Sequence, residues 1–244
     1  MKRAVCILIA CWAAGCTGTE TGNPFDAEMR ADAHSSDPAA VDIEAGAVAV
    51  DQAWLSLDPI EMIPAGDCDS DQGASAAPPS FGAADHAEAG ETLAVFELVE
   101  DDYCRARLPF VLATDPLPAG APPELAGRSI VVGGEVTATQ TSFLIASEID
   151  RVIDVRAVSG SFAMTADAGF VFLGFDVAKW LDGVDIASGT PDGNGVIVID
   201  SETNPNLLSA FEANLAGGIE LFRDDDRDGS ADPAEELLAR GQPE

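Results

Sequence analysis

The stretch SIVVGGEVTATQTSFLIASEIDRVIDVRAV, residues 129–158, decides the fold class of this chain. It contains three short runs rich in β-branched and aromatic residues, which begin at Ser129, Ser142 and Val152. The runs follow one another at intervals of about ten residues, and small or polar residues separate them. Short runs of this composition at this interval, with turn residues between them, predict the strands of a β-sandwich or barrel.

The same pattern continues on both sides of this stretch. Upstream, residues 48–63 alternate between apolar and polar side chains, and the alternation changes phase near Asp51 and Gln52, which predicts a β-bulge. We therefore expect a mainly β protein, and within that class a β-sandwich of immunoglobulin-like or transthyretin-like type. The other strand-like runs occupy residues 93–99, 108–113, 161–165, 169–175 and 195–200.

Helical patterns appear only in the second half of the chain. Residues 176–181 predict a short turn of helix that ends at Gly183. A longer helix is expected over residues 205–222, with Asn204 as its N-cap and Pro205 as its first residue. Apolar residues recur there at every fourth position and would pack on the sheet; they are Leu207, Phe211, Leu215 and Ile219.

Residues 224–235, DDDRDGSADPAE, match every constrained position of the twelve-residue EF-hand calcium loop. Ca²⁺ takes six to eight oxygen ligands at about 2.3–2.6 Å, and a tight loop supplies them from alternate residues. Gly229 stands at the sharp turn, where a residue without a Cβ atom is favoured. The predicted ligands are the side chains of Asp224, Asp226 and Asp228, the carbonyl oxygen of Ser230, the side chain of Asp232 directly or through water, and both carboxylate oxygens of Glu235.

The sequence around this loop indicates a solitary calcium site. The predicted helix before Asp224 and the segment 235–240 after the loop give a helix–loop–helix setting. No second loop of this pattern occurs in the sequence, and Ala231 stands where paired EF-hand loops carry a branched apolar residue. The loop therefore resembles the single calcium loops of extracellular dockerin-type modules more than a paired sensor. An acidic, solvated turn without an ion is the alternative.

The beginning of the chain has the character of an export signal. Lys2 and Arg3 precede an apolar run at residues 4–14, which is too short to cross a bilayer core of about 30 Å as a helix. The Ala-Ala-Gly-Cys sequence that ends at Cys16 resembles a bacterial lipobox, in which the signal is cut before a cysteine that becomes lipid-modified. We expect a signal peptide over residues 1–15 and lipidation of Cys16; an ordinary secretory signal is the alternative.

The remaining chain divides into a linker and one domain. Residues 16–40 are rich in Gly, Pro, Ser, Thr, Ala and acidic residues and show no hydrophobic periodicity, so they are interpreted as the lipidated cysteine followed by a flexible tether. Residues 41–244 are long enough for one well-filled core, and no long linker divides them. We expect a single β-rich domain there, with the helix and calcium loop at residues 205–240 included in it.

Two cysteines remain once Cys6 and Cys11 leave with the signal peptide and Cys16 carries the lipid. In an exported chain this pair, Cys68 and Cys104, predicts one disulfide. A metal–thiolate site needs more ligands than these two thiols supply, and the chain has only 2 His.

Charge and motifs limit the function classes. The chain carries 12 Lys and Arg against 43 Asp and Glu, a formal net charge of −31, which repels phosphate backbones and argues against nucleic-acid binding. The sequence contains no G-x-S-x-G, no H-E-x-x-H and no phosphate-binding glycine loop, so we do not expect an enzyme. The favoured class is a non-enzymatic surface or periplasmic binding module with structural Ca²⁺. A structural envelope protein without a small ligand and a metal-assisted hydrolase are the alternatives.

Several segments resemble uncharacterised lipoproteins of myxobacteria and their relatives: CTGTETGNP at residues 16–24, AWLSL at 53–57, residues 175–185, and FEANL at 211–215 leading to the acidic loop. The resemblance implies a membrane-anchored, β-sandwich domain that closes with a calcium loop, and it transfers no catalytic residues. Thr17 after the lipidated cysteine is not the Asp associated with retention in the inner membrane, so the outer membrane is favoured. The expected partners are the membrane, through the lipid, and an unidentified envelope or extracellular protein or glycan.

Overall fold

The structure is a computed structural model that describes residues 23–34, 43–45, 47–69, 73–75, 81–83, 91–227 and 235–242. Strands dominate these residues, so the expected mainly β class is confirmed. Two α-helices are described, α1 (Val177–Trp180) and α2 (Pro205–Asn214). The strands are β1 (Pro24–His34), β2 (Ile43–Ala45), β3 (Val48–Leu55), β4 (Glu61–Pro64), β5 (Ala74–Ser75), β6 (Phe81–Ala83), β7 (Glu91–Val99), β8 (Asp101–Phe110), β9 (Ile130–Val136), β10 (Thr141–Ser147), β11 (Arg151–Ala157), β12 (Phe162–Met164), β13 (Phe170–Asp176), β14 (Ile197–Ile199), β15 (Ile219–Arg223) and β16 (Leu237–Gly241).

The described strands form two sheets. The large sheet has the order β5-β4-β8-β11-β16-β15-β13-β1-β7, and β12 pairs with β8 beside this path. The small sheet has the order β14-β10-β9-β3-β2, and β6 pairs with β3. Most neighbours are antiparallel, but β1 pairs with β13 and β14 pairs with β10 in parallel. This topology differs from an immunoglobulin-like sandwich, which has seven to nine antiparallel strands. Here the sheets have 10 and 6 strands, and two of the strand pairs are parallel.

Both sheets contribute to one hydrophobic core, which gives a sandwich-like arrangement. Ala106 and Leu108 of the large sheet and Leu55, Ile130 and Ile145 of the small sheet are all buried in the same cluster. Strand alternation explains this, because successive side chains of a strand point to opposite faces. The predicted bulge is confirmed, since the pairing of β3 with β9 shifts register between Val50 and Gln52.

Part of the predicted tether is a strand of the large sheet. β1 (Pro24–His34) pairs with β13 and β7, so the expectation of a flexible tether over residues 16–40 is wrong for this strand. Ala27, Met29 and Ala31 are buried, whereas the residues between them face outward. The alternation is present in the sequence, but two of its three buried residues are alanines, which give only a weak hydrophobic signal. The remaining predicted tether positions, 16–22 and 35–40, lie outside the described residues, as do the predicted signal peptide and Cys16.

The two predicted helices are present, and the second is shorter than expected. α1 (Val177–Trp180) is capped by Asp176, whose carboxylate accepts a hydrogen bond from the Lys179 amide at 3.0 Å. α2 begins at Pro205 as predicted but ends at Asn214, eight residues before the predicted end. The residue before α2 is Asn204, as predicted, with a φ of 55°, but its side chain makes no cap hydrogen bond to the helix. The side-chain Nδ2 atom of Asn204 instead donates to the carbonyl oxygen of Val198 at 2.6 Å.

The expected helix–loop–helix is wrong, because paired strands flank the acidic loop. β15 enters it and β16 leaves it, and the two strands pair antiparallel to each other. β16 also pairs with β11, so it satisfies backbone groups of two neighbouring strands. This tertiary pairing overrides the helical propensity of the Glu-, Leu- and Ala-rich segment that begins at Glu235. Gly217 and Gly218 weaken the end of the predicted helix, and from Ile219 onward the alternation suits a strand.

The predicted disulfide is confirmed. Cys68 and Cys104 are bonded, with their Cα atoms 6.0 Å apart. The bond ties the turn that follows β4 to β8, the strand next to β4 in the large sheet.

Candidate metal centre

Three carboxylates of the acidic loop converge at one end of the large sheet. Asp224 directly follows β15, Asp226 lies two residues further on, and Glu235 precedes β16. Each of the three offers a carboxylate oxygen that lies within 4.8 Å of those of the other two. Asp224 is 2% exposed, Glu235 is half-buried and Asp226 is exposed. The cluster is therefore buried on one side and open on the other.

The sheet fixes both ends of this loop. The amide of Arg223 donates to the carbonyl of Glu236 at 2.9 Å, and the amide of Asp224 donates to the carbonyl of Phe170 at 3.1 Å. The Arg223 guanidinium also pairs with the Glu236 carboxylate at 3.1 Å. These contacts hold the backbone on either side of the carboxylates, so the separation of Asp224 from Glu235 is set by strand pairing.

Aromatic side chains lie beside the loop on the outer face of the large sheet. Phe172 pairs in register with Phe222 on β15, and their ring centroids are 6.4 Å apart. Phe172 is completely buried although it does not belong to the core between the two sheets. Phe170 lies two residues before Phe172 on β13 and therefore faces the same side of the sheet. The loop thus begins next to an apolar surface.

Two arginines connect the loop to this face. Arg227 places its guanidinium carbon 3.9 Å from the centre of the Phe170 ring, a cation–π contact. Arg30, on β1, donates from Nη1 to the carbonyl oxygen of Arg227 at 2.7 Å. The Nε atom of Arg30 pairs with the Glu28 carboxylate at 2.9 Å, which orients the guanidinium. Arg227 has a φ of 64°, in the left-handed region that residues with a Cβ atom seldom adopt.

This arrangement can hold a metal ion. Two oxygens bound to the same Ca²⁺ at about 2.3–2.6 Å can be no further apart than about 4.6–5.2 Å. The three carboxylate oxygens meet this limit, since all of them lie within 4.8 Å of one another. Carboxylates at such distances repel one another, and a divalent cation between them removes that repulsion.

The structure brings together three of the six predicted ligands. Asp224, Asp226 and Glu235 occupy positions 1, 3 and 12 of the loop and form the cluster. Asp228, Ser230 and Asp232, together with Gly229, lie in residues 228–234, outside the described residues. The ligand prediction therefore extends beyond what the structure describes.

Sequence reasoning did not find the residues that support the loop. Arg30 is separated from Arg227 by 197 residues, and no local pattern connects them. For Phe170 the sequence predicts only that it lies in a strand, over residues 169–175. The alternation of β1 is the one signal that could have found Arg30, because it places Arg30 and Glu28 on the face opposite Met29.

A cavity of about 400 Å³ lies between α2 and the connection from β10 to β11. Beside it, the hydroxyl of Ser147 donates to the Glu212 carboxylate at 2.5 Å. None of the three clustered carboxylates lines this cavity. Its lining residues are Ile149, Asp150, Arg151, Ser209, Glu212, Ala213 and Ala216.

No protein-family model, curated protein or solved structure matches this chain. Within the described part of the chain, no helix has the length and apolar character needed to cross a membrane.

Proposed function

We propose that the loop at residues 224–235 binds one Ca²⁺ that staples the β15–β16 hairpin of a lipid-anchored, extracytoplasmic binding module. The observation that carries this proposal is the convergence of Asp224, Asp226 and Glu235, at loop positions 1, 3 and 12, to within 4.8 Å. These positions supply side-chain ligands in EF-hand loops, and Glu at position 12 is the bidentate ligand.

Ca²⁺ suits this donor set better than Mg²⁺ does. The predicted ligands are all hard oxygens, and the loop delivers up to seven of them, counting both oxygens of Glu235. Mg²⁺ demands a near-ideal octahedron at about 2.0–2.1 Å and tends to keep its waters. A solitary loop in an extracellular module works at a Kd of about 10⁻⁴–10⁻³ M. Such an affinity keeps the site filled where Ca²⁺ is at millimolar concentration.

The strand setting favours a structural role over a switch. Sensor EF-hands respond to Ca²⁺ by changing the angle between two helices. Here the flanking elements are neighbouring strands of one sheet, and they share backbone pairing between Glu220 and Arg240 and between Leu221 and Ala239. A change of angle between these strands would break that pairing. The bound ion would therefore stabilise the hairpin without moving it.

Export and anchoring belong to the same proposal. The disulfide between Cys68 and Cys104 supports an oxidising compartment, since cytosolic thiols are kept reduced. The Ala-Ala-Gly-Cys sequence ending at Cys16 supports cleavage and lipidation there, with the protein held at the outer membrane. The partner would be an envelope or extracellular protein or a glycan, and no catalytic role is assigned.

The lipid anchor can be tested at Cys16. Cys16→Ser should move the protein from the membrane fraction to the soluble envelope fraction. Continued membrane retention would contradict the lipid anchor.

Thermal unfolding with and without Ca²⁺ tests the staple. At a Ca²⁺ concentration of 100 Kd, a site that exists only in the folded state adds about 2.7 kcal/mol. For a chain of this size that corresponds to a rise in Tm of about 5–10 °C. Asp224→Asn should abolish the rise, whereas Asp225→Asn, at a neighbouring exposed acid that is not a predicted ligand, should keep it. A Tm that ignores Ca²⁺ in the unmutated protein would overturn the proposal.

A further inference from the structure

We propose that Asn194 is a site of spontaneous deamidation and that Asp192, two residues before it, controls how fast the reaction runs in the folded protein. The juxtaposition behind this proposal is a double contact. The Asp192 carboxylate accepts hydrogen bonds from the backbone amide and from the side-chain amide of Asn194, at 2.8 and 3.2 Å. The site lies in the exposed turn before β14 and does not depend on the proposed calcium loop.

Asn194 is the one asparagine of the chain that precedes a glycine. In deamidation the backbone nitrogen of the next residue attacks the side-chain amide carbon, and glycine allows the closest approach because it has no Cβ atom. Asn23 and Asn204 precede prolines, whose nitrogen carries no hydrogen and cannot form the same product. Asn206 and Asn214 lie in α2 and precede leucines, whose side chains hinder the approach. The reaction is therefore expected at Asn194 before the other asparagines.

The reaction needs only water as a co-reactant. The Gly195 nitrogen loses its proton to hydroxide and forms a bond to Cγ of Asn194. The bond from Cγ to Nδ2 breaks, and the leaving nitrogen takes a proton from the solvent and departs as ammonia. Water then opens the five-membered imide at either of its two carbonyl groups. The products are aspartate and isoaspartate, in which the backbone runs through the side chain, and no step is an oxidation or a reduction.

The geometry of the turn explains why a glycine follows Asn194. Gly195 has a φ of 84°, in the left-handed region that favours glycine. Its backbone amide donates to the carbonyl oxygen of Asp192 at 3.1 Å. The backbone amide of Asp192 donates in turn to the carbonyl oxygen of Val196 at 2.8 Å, which closes the turn. The reactive Asn–Gly pair thus accompanies the tight turn that leads into β14.

Asp192 opposes the reaction at both reacting groups. Its Oδ2 atom accepts from Nδ2 of Asn194, the leaving nitrogen, so the side-chain amide must leave this position before Cγ reaches the Gly195 nitrogen. The hydrogen bond from the Gly195 amide to the Asp192 carbonyl must also break before that nitrogen loses its proton.

The same carboxylate keeps the turn closed. Its Oδ1 atom accepts from the backbone amides of Val196 and Asn194, at 3.0 and 2.8 Å. These hydrogen bonds, that of Val196 first, hold the pKa of the Asp192 carboxyl below its usual range. Asp192 therefore stays ionised at the neutral and alkaline pH at which deamidation runs, and it remains an acceptor for Asn194.

The first deamidation event removes this protection. Aspartate at position 194 carries an oxygen in place of Nδ2, so a donor to Asp192 becomes a second negative charge beside it, and the two carboxylates repel each other. Isoaspartate adds one carbon atom to the backbone path of the turn. β14 begins at Ile197, directly after this turn, and pairs with β10. Either product therefore destabilises the turn that leads into this strand.

Incubation of the purified protein at mildly alkaline pH, followed by fragment-ion mass spectrometry, tests the proposal. The method detects the mass change from amide to acid and assigns it to one residue. We expect the change first at Asn194, and about tenfold or more slower in the folded than in the urea-unfolded chain, because hydrogen bonds must break before the attack. Asp192→Ala should raise the folded-state rate about fivefold or more. Asp182→Ala is the matched control, because Asp182 is also an exposed aspartate before a glycine, and it should leave the rate unchanged.

The outcomes separate the site from its control. If another asparagine changes first in the unfolded chain, or if none changes, the site is overturned. If Asn194 reacts as fast in the folded as in the unfolded chain, or if Asp192→Ala reacts no faster than the unmutated protein or the Asp182→Ala variant, the control by Asp192 is overturned. Should Asp192→Ala fail to fold, Asp192→Ser replaces it. A serine hydroxyl accepts from one amide of the turn but lacks the second oxygen that holds Nδ2, so the rate should still rise about twofold or more.

Discussion

Arg227 has a backbone conformation that is unfavourable for a residue with a Cβ atom. The contact of its side chain with Phe170 offsets part of that free-energy cost. Its φ of 64° falls in the left-handed region, which costs residues with a Cβ atom about 1–2 kcal/mol. The cation–π contact with Phe170 contributes about 0.5–1 kcal/mol at an exposed position such as this one. Such a conformation persists only where surrounding contacts determine it, and strained residues of this kind cluster at binding sites.

Two substitutions at this position separate backbone strain from the ring contact. Arg227→Ala loses the contact and keeps the strain, whereas Arg227→Gly loses the contact and relieves the strain. We expect the alanine variant to be less stable than the glycine variant by about 1 kcal/mol in urea unfolding. Equal stability of the two variants would show that the left-handed backbone costs nothing at this position.

Tyr103 offers a separate probe, because it is the only tyrosine of the chain. Burial of its ring raises the pKa of the hydroxyl above the ordinary value of 10.0, and the negative charge of Asp101 raises it further. Absorbance at alkaline pH should give a midpoint above 10.0 in the folded protein. A raised pKa favours the folded state below the unfolded pKa, so stability should fall as pH rises from about 10. A midpoint at or below 10.0 contradicts the burial.

Residue spacing was enough to predict Asp224, Asp226 and Glu235 as neighbours in space, because ligand geometry imposes that spacing on the loop. The same holds for Cys68 and Cys104, for which counting left one pairing. The supporting residues Arg30 and Phe170 could not be predicted in this way. Their proximity to the loop follows from which strands pair, and pairing between distant strands is not encoded in any local pattern.

Among the elements, short alternating runs predicted most of the core strands and the short helix α1, whereas the signals for the longer helix predicted only its start. The expectation for residues 205–222 placed its beginning correctly at Pro205, since proline at the first position is a local signal. The predicted end of the helix is wrong, because Ile219–Arg223 forms β15 and pairs with β13 and β16 instead of continuing the helix. The sequence does not predict β1, because two of its three buried residues, Ala27 and Ala31, are alanines, which give only a weak hydrophobic signal.

Gly218 shows how tightly the transition from α2 to β15 is packed. A Cβ atom at this position would lie 2.4 Å from Cδ1 of Trp180 and 2.7 Å from the carbonyl oxygen of Asp176. Trp180 is completely buried and donates from its indole to the carbonyl of Leu215 at 3.0 Å, so neither neighbour can move freely. The strand that leads to Asp224, β15, begins directly after this glycine.

Gly218→Ala should therefore destabilise the protein by about 1–3 kcal/mol, the usual cost of overpacking. Gly66→Ala is the matched control, because a Cβ atom there meets nothing within 4 Å, and it should change stability by no more than about 0.5 kcal/mol. Denaturant unfolding of both variants measures the difference. Similar midpoints for the two would contradict the packing around Trp180.

At the scale of the whole molecule, one core between two sheets carries the fold, and the acidic loop lies at the periphery of the large sheet. Its position beside β1 places it near the N-terminal end of the described chain, not near the cavity lined by Glu212. The formal net charge of −31 adds a general attraction for cations, which the loop focuses at one point. The molecule is thus a β scaffold whose proposed ion holds together the β15–β16 hairpin.

Calorimetric titration of Ca²⁺ into the purified, chelator-treated protein tests most directly whether the loop at residues 224–235 binds the ion. We expect one site per chain with a Kd of about 10⁻⁴–10⁻³ M, lost in Asp224→Asn and Glu235→Gln and retained in Asp225→Asn. No heat at millimolar Ca²⁺, or equal binding by the Asp224→Asn variant, would contradict the calcium site.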